Sequence, residues 1–332
     1  MQTNRQILLV SRPEVAAGPE NFRLIETHVP PLEQGQVLVR NHYLSLDPYM
    51  RGRMSASKSY ATPQPLDAVM QGATVGIVEE SRNPKWAKGD TVLGAFGWQE
   101  WGMSDGTGLK RVDAERIPMS AYLGTVGMPG VTAWYGLNKI IAPKSGETIV
   151  VSAASGAVGT VVGQLAKRHG CRVVGVAGGP DKCAYVTDEL GFDACVDYKA
   201  GHLPDHLATA TPNGIDGYFD NTGGPILDAV LTRMNPHGRI AVCGAIAGYD
   251  GQAQPLAEPR IILTMRLLIQ GFIVSEHLDL WPQALAEIGT LVADGTLKYR
   301  ESTAQGLETA VAAFLGMLKG KNFGKQIVKL TK

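Results

Sequence analysis

The sequence predicts an α/β protein in which a doubly wound parallel sheet is joined to a separate β-rich region, and three observations carry that prediction. The chain has 332 residues, beyond the size at which one hydrophobic core usually stops growing, so two domains are expected. From about residue 129 onward, short apolar runs alternate with helical periodicities, the pattern of βαβ units on a parallel sheet. The stretch TIVVSAASGAVGTVVG at 148–163 sets a strand, a glycine-bearing turn and a helix in direct succession.

Up to about residue 125 the runs QVLVRNHYLSL, ATVGIVEE and DTVLGAF read as strands. Turn clusters such as RNPKWAKGD separate them, and no helix is expected there. Beyond that point the candidate strands are ETIVVSA, CRVVGVA, DACVDY, DGYFDN, RIAVCGA and LLIQGFIV, six runs that suit a doubly wound sheet. The first has the β-branched content of a strand buried on both faces. After it Val158, Val161, Val162, Leu165 and Ala166 recur at the spacing of one helix face. The tail GKNFGKQIVKL reads as loop and then strand after a helix, which predicts a return of the chain to the β-rich region.

Composition narrows the function. With 31 basic and 31 acidic side chains the chain has no global pull toward nucleic acid or anionic lipid, so its partner is expected to be a small molecule or a protein. No run approaches the ~18 apolar residues of a membrane span. The first residues, MQTNRQILLVSRPE, hold too short an apolar run for a signal peptide, so a cytoplasmic location is expected. Cys171, Cys183, Cys195 and Cys243 include no Cys-x-x-Cys pair and read as reduced, buried small hydrophobes. His202 and His206 have a metal-like spacing, but Pro204 between them disfavours a helix presenting both, and no metal is expected.

The turn reads Ala153-x-x-Gly156-x-x-Gly159, where the dinucleotide fingerprint begins with glycine. Gly156 can let backbone approach a pyrophosphate, Gly159 can permit close helix–strand packing, and the helix N-terminus supplies N–H groups and partial positive charge. Ala153 replaces only the glycine that eases the turn. Glycines that merely serve a βα turn are the alternative. An NAD site wants Asp or Glu about 20 residues on, at the end of the next strand. Here Gly175-Val176-Ala177-Gly178-Gly179 offers none, and Asp181 is followed at once by Lys182. A small loop with a lysine suits a ribose 2′-phosphate; a surface lysine at a helix start is the other reading.

These residues, with SLDPYMRGRM (45–54), GMPGVTAWYGL (127–137), YFDNTGG (218–224), CGAIAGY (243–249), QGFIV (270–274) and LKGKNFGKQIVK (318–329), make the chain resemble a family along nearly its whole length. It is similar to the zinc-independent medium-chain dehydrogenases/reductases of the prostaglandin and leukotriene reductase and alkenal double-bond reductase branch, and most like the bacterial curcumin-reductase type. The resemblance implies a GroES-like domain over about 1–125, a Rossmann NADPH-binding domain over about 126–295 and a C-terminal return over about 296–332. It implies a homodimer joined through the last Rossmann strands. It implies no zinc, since zinc-dependent cousins carry Gly-His-Glu where this chain has Gly72-Ala73-Thr74, and a cysteine lobe that is missing here.

The same resemblance assigns residues. Gly156, Ala157, Val158 and Gly159 would cradle the pyrophosphate, and Lys182 and Tyr198 would meet the 2′-phosphate. Asn221, the backbone of Cys243, Gly244, Ala245, Ile246 and Tyr249, then Phe272, Ile273, Val274 and Asn322, would line the rest of the cofactor. Met128 and Thr132 would sit by the nicotinamide. Read without it, Asn221 is a turn residue and Phe272 to Val274 are strand core. The segment YDGQAQPLAEPR that begins at Tyr249 is short for the family.

Chemistry restricts the substrate. Hydride addition to an isolated alkene leaves an unstabilised carbanion, whereas a conjugated carbonyl places the charge on an enolate oxygen, so an α,β-unsaturated ketone or aldehyde is expected. Tyr249, in a glycine-flanked loop after a strand, is the candidate to polarise that oxygen or supply a proton. Tyr49 and Tyr60 are candidates for the substrate pocket, with ordinary packing as the alternative for each. Quinone reduction with the same cofactor, and NADPH binding without catalysis, are the competing functions.

Overall fold

The computed structural model describes residues 2–252 and 254–331, so Ala253 of the segment after Tyr249 lies outside the described residues. The chain divides into two compact units, Met1–Gly124 with Glu301–Lys332, and Thr125–Arg300.

The first unit is built around the strand Val37–Ser45 of a seven-stranded sheet. That strand pairs antiparallel with Thr74–Ser81, Trp101–Ser104 and Lys325–Lys329. Lys325–Lys329 in turn runs parallel to Glu301–Gln305, so the end of the chain completes this sheet. A smaller sheet joins Phe22–His28, Thr3–Leu9 and Ala68–Val69. In the core Trp98 stacks on Phe22 with centroids 5.6 Å apart and meets Phe314 edge-on at 5.5 Å, geometries that aromatic pairs favour. A buried ion pair is fully partnered: Lys325 Nζ lies 2.8 Å from Asp47 Oδ1 and 2.6 Å from the Leu46 carbonyl, while the Ser45 hydroxyl donates to Asp47 Oδ2. One expectation fails here. A helical turn, Tyr49–Arg53, stands where no helix was predicted, because five residues are too few to show a periodicity.

The second unit is a six-stranded parallel sheet. The helix α1 (Met128–Tyr135) precedes the strand β1 (Thr148–Ser152), which leads into α2 (Gly159–Arg168). Then come β2 (Arg172–Ala177), α3 (Pro180–Ala184), β3 (Ala194–Asp197), α4 (Leu203–Ala210), β4 (Ile215–Asp220), β5 (Met234–Val242) and β6 (Leu268–Gly271). The strand order is β3-β2-β1-β4-β5-β6, the doubly wound arrangement whose direction reverses between β1 and β4. Every residue of β1 is buried, as a strand covered on both faces requires. On α2 the predicted stripe Val161, Val162, Leu165 and Ala166 is buried, but Val158 falls just before the helix and is half-buried.

The structure refines the histidine argument. α4 does form over Pro204, because a proline in the first helical turn removes no helical hydrogen bond, but it starts at Leu203 and leaves His202 outside it in a left-handed conformation, so no helix presents both histidines. The rings of His202 and His206 lie 6.4 Å apart. Among the described residues no group of three or more His, Cys, Asp or Glu is placed to hold a metal ion. The donor set therefore does not fit a zinc centre. At the position that the resemblance singles out, Thr74 is buried and its hydroxyl donates to Asn41 Oδ1 at 2.9 Å. The cysteine expectation also needs correction. Cys171 is buried, but Cys183, Cys195 and Cys243 are only half-buried, and the first two of these face each other.

Candidate active site

In a doubly wound sheet the ligand crevice lies beyond the carboxyl ends of the strands at the reversal point. Here that point is built from the loops after β1, β4 and β5. Asn221 donates its backbone N–H to Ser152 Oγ at 2.8 Å and its side-chain amide to the Ser152 carbonyl at 2.7 Å, locking the end of β4 onto the end of β1. The Asp220 carbonyl accepts from Cys243 N–H at 2.8 Å and Gly244 N–H at 3.1 Å, which ties in β5. Ala247 N–H donates to the Thr222 carbonyl at 3.1 Å and holds the Tyr249 loop against the loop after β4.

Asp220 is a residue that sequence reasoning missed. It is fully buried, and its Oδ1 accepts from the Tyr218 hydroxyl at 2.9 Å and from the N–H groups of Thr222 and Gly223 at 2.9 and 2.8 Å. Its Oδ2 has no hydrogen-bond partner. The carboxylate thus fixes the turn that presents Asn221. Burial first, then the Asp220 charge, pushes the Cys243 thiol up to about 12, which leaves Cys243 a neutral wall residue. The available signal was a carboxylate at a strand end, in YFDN.

The glycine turn is tight where the fingerprint needs it. A Cβ on Gly159 would overlap the Ala153 carbonyl oxygen and stand 2.8 Å from Ala154 Cα, and one on Gly156 would stand 3.0 Å from the same oxygen. Gly159 is buried against this turn and Gly156 is half-buried, so the start of α2 lies close to the end of β1, as a pyrophosphate cradle requires. Ala157 and Val158, between them, are half-buried. Ala153 itself adopts a left-handed conformation with φ 48°.

At the end of β2, Gly178 is overlain by the turn that follows β3. A Cβ there would come within 2.9 Å of the Tyr198 hydroxyl and of Lys199 Cε. Gly179 has φ 101°, which favours glycine, and its N–H donates to Asp197 Oδ1 at 2.8 Å. Lys182 is half-buried. Burial first, then the charge of Lys199, lowers its pKa below the usual lysine value of 10.5. The structure therefore brings Lys182, Tyr198 and a second cation, Lys199, around two glycines. Lys199 was not predicted, since its approach depends on the β2–β3 pairing. Two repelling ammonium groups form a site that gains from a dianion.

The remaining predicted residues divide by unit. Met128 and Thr132 are the α1 residues that are not buried; they lie one turn apart on one face, with the Thr132 hydroxyl donating to the Met128 carbonyl at 2.8 Å. Phe272 packs on Tyr135 at 5.3 Å and edge-on to Phe219 at 6.2 Å. Of its neighbours, Val274 is buried and Ile273 half-buried. Ala245 is exposed, while Gly244, Ile246 and Tyr249 are half-buried. The Tyr249 hydroxyl lies over Gly244, 3.7 Å from where a Cβ would be. Tyr49, Tyr60 and Asn322 belong to the first unit. Arg53 lies over both tyrosine rings, 5.8 Å from Tyr49 and 5.0 Å from Tyr60. Burial first, then Asp47, raises the Tyr49 phenol pKa well above its ordinary value. Asn322 donates to the Gly324 carbonyl at 2.8 Å.

Comparison with known proteins adds to this geometry. Residues 5–112 match a family model described as the N-terminal domain of oxidoreductase, and residues 157–290 match one described as zinc-binding dehydrogenase. The chain is 46% identical to the NADPH-dependent curcumin reductase of Escherichia coli (strain K12), covering 99% of this chain and 97% of that protein. It is 44% identical to prostaglandin reductase 1 of Rattus norvegicus, with 93% and 94% covered. The crystal structure of CurA from Vibrio vulnificus in complex with NADPH superposes with a TM-score of 0.94 at 45% identity, over 99% of both chains.

Proposed function

The chain belongs to the medium-chain dehydrogenase/reductase family, and from that premise we propose that it is an enzyme that uses NADPH to reduce the carbon–carbon double bond of α,β-unsaturated ketones and aldehydes. The observation that carries the cofactor choice is the end of β2, where two glycines and the pair Lys182 and Lys199 stand in place of the carboxylate an NAD site wants. A relative that shares 46% of its residues over 99% of this chain is named for the same cofactor.

When bound, NADPH supplies a hydride from its nicotinamide to the β-carbon of the substrate. The chain's own residues do the rest. Gly156 to Gly159 and the start of α2 hold the pyrophosphate; Lys182 and Tyr198, with Lys199, hold the 2′-phosphate. Asn221, Cys243 to Ile246, Phe272 to Val274 and Asn322 line the remainder, and the uncovered face of α1 at Met128 and Thr132 meets the nicotinamide. The Tyr249 hydroxyl donates a hydrogen bond to the carbonyl oxygen, where negative charge accumulates as the β-carbon accepts hydride; a proton from solvent then completes the α-carbon. Tyr49 and Tyr60 border the substrate. No step calls on a metal.

The same reading makes the protein a cytoplasmic homodimer. Among the described residues no helix is long and apolar enough to cross a membrane. β6 is an edge strand with Leu268 exposed, and it offers a free sheet edge to a second copy. Sedimentation at micromolar concentration tests the dimer.

The activity is tested by mixing purified protein with NADPH or NADH and a panel of enones, quinones and alcohols. Enone reduction with NADPH is expected. Oxidation of NADPH by quinones alone, or binding without turnover, would overturn the proposal.

A further inference from the structure

Cys183 and Cys195 lie 12 residues apart in the chain, yet their Sγ atoms stand 3.0 Å from each other. Cys183 is on α3, directly after Lys182, and Cys195 is in β3, opposite Gly175 of β2. Gly175 makes the room, since a Cβ there would stand 3.3 Å from the Cys195 sulfur. Neither residue is fully buried; both are half-buried. Their segments are already held together by the bond from Gly179 to Asp197. A disulfide bond is about 2.05 Å long, so closure from 3.0 Å moves each sulfur by roughly half an ångström.

We propose that Cys183 and Cys195 form a thiol–disulfide exchange site, which a low-molecular-weight disulfide such as glutathione disulfide closes to an intramolecular bridge. The order of attack follows from the hydrogen bond. Cys195 donates its S–H to Cys183, which favours the Cys183 thiolate and keeps Cys195 protonated. The thiolate is the nucleophile, so Cys183 attacks first. Its sulfur bonds to one sulfur of the small disulfide, whose own S–S bond breaks; the departing thiolate takes up the proton that Cys183 has given up. Cys195 then attacks the Cys183 sulfur, breaking the mixed disulfide and releasing a second small thiol that carries away the Cys195 proton. Two electrons pass from the protein thiols to the small disulfide, and excess small thiol reverses both steps.

The pair lies between the segments that carry Lys182 and Tyr198. Bound NADP+ should therefore slow closure several-fold, an effect that rests on the cofactor reading above, whereas the bridge itself does not.

The full-length protein is incubated in glutathione/glutathione disulfide buffer, quenched, alkylated under denaturing conditions and mapped by mass spectrometry. Of its four cysteines, Cys183 and Cys195 should be lost to a single cross-linked peptide lighter by two hydrogens, and dithiothreitol should restore both. Cys195→Ser should stall as a glutathione adduct on Cys183. All thiols remaining free, or a cross-link that involves Cys171 or Cys243, would overturn the proposal. Should the Ser variant not fold, the wild-type map alone decides. Closure of the bridge at an equal rate with saturating NADP+ would overturn the shielding and leave the bridge standing.

Discussion

Replacing Lys182 with alanine separates the two nicotinamide cofactors, and its size follows from what the ammonium does. Lys182 is half-buried beside Lys199, and both burial and that neighbour disfavour its charged form, so its pKa is lowered in the fold. The sign follows. Below the depressed folded pKa the charge opposes folding, and this penalty fades as pH rises from there toward 10.5. At neutral pH, Lys182→Ala should therefore leave the melting temperature of the cofactor-free protein unchanged or slightly raised. A 2′-phosphate reverses the balance. A hydrogen bond to a charged group is worth about 1.5–3 kcal/mol, so its loss should lower kcat/KM for NADPH by about 10- to 150-fold. NADH lacks that phosphate and should change less than about threefold. Steady-state rates with both cofactors, alongside thermal unfolding, make the measurement. Because Lys199 remains and can take over part of the phosphate, the lower end is expected for the single variant, with a further fall in the double variant. Equal losses with both cofactors, or a lowered melting temperature that accounts for them, would refute the reasoning.

Three further outcomes are expected. Tyr249→Phe keeps the ring and removes the hydroxyl, so kcat for an enone should fall by ~10- to 1000-fold while the Kd for NADPH stays within about threefold, as rates and cofactor titration would report; an unchanged kcat removes the phenol from the mechanism. Gly159→Ala forces a methyl against the Ala153 carbonyl and Ala154 Cα, an overpacking that should cost about 1–3 kcal/mol in denaturant unfolding and weaken both cofactors alike. Overnight dialysis against a strong chelator should leave activity intact; stoichiometric zinc in the protein, with activity lost on its removal, contradicts the metal-free site.

What could be read from the sequence was what local chemistry determines. The second unit's strands were legible because parallel strands covered on both faces read as unbroken apolar runs, as Thr148–Ser152 does. β5 begins earlier than RIAVCGA suggested, because residues between Met234 and Arg239 bulge out of register with β4, and a stretch holding Pro236 and Gly238 hides a strand start. What stayed hidden was tertiary. Tyr198 and Lys199 come over Gly178, and Cys195 reaches Cys183, only because β3 lies beside β2. Asp220 looked like a strand end until its buried carboxylate was seen to hold the next turn. At His202 and His206 the proline marks a helix start and not a break, so the helix carries His206 while His202 stays outside it.

The departure at Ala153 shows what a glycine fingerprint records. Glycine is favoured for two separable reasons: a left-handed backbone, and space that a Cβ would fill. At 153 only the first applies: φ is 48°, and alanine there costs on the order of 1–2 kcal/mol, a penalty the rest of the fold can absorb. At 159 only the second applies, since a Cβ would run into the backbone of Ala153 and Ala154, which cannot yield without opening the turn. The Ala153 carbonyl also accepts the Gly156 N–H at 2.8 Å, and the Ala154 N–H reaches the Val176 carbonyl of β2 at 3.1 Å, so the turn is fixed by backbone bonds that an alanine side chain does not touch. The first glycine is therefore a matter of conformational cost, which a stable sheet can offset, and the last is a matter of collision, which it cannot. A sequence that keeps Gly156 and Gly159 and gives up the first position has kept what brings a helix start close to a strand end, and with it the means to hold a pyrophosphate.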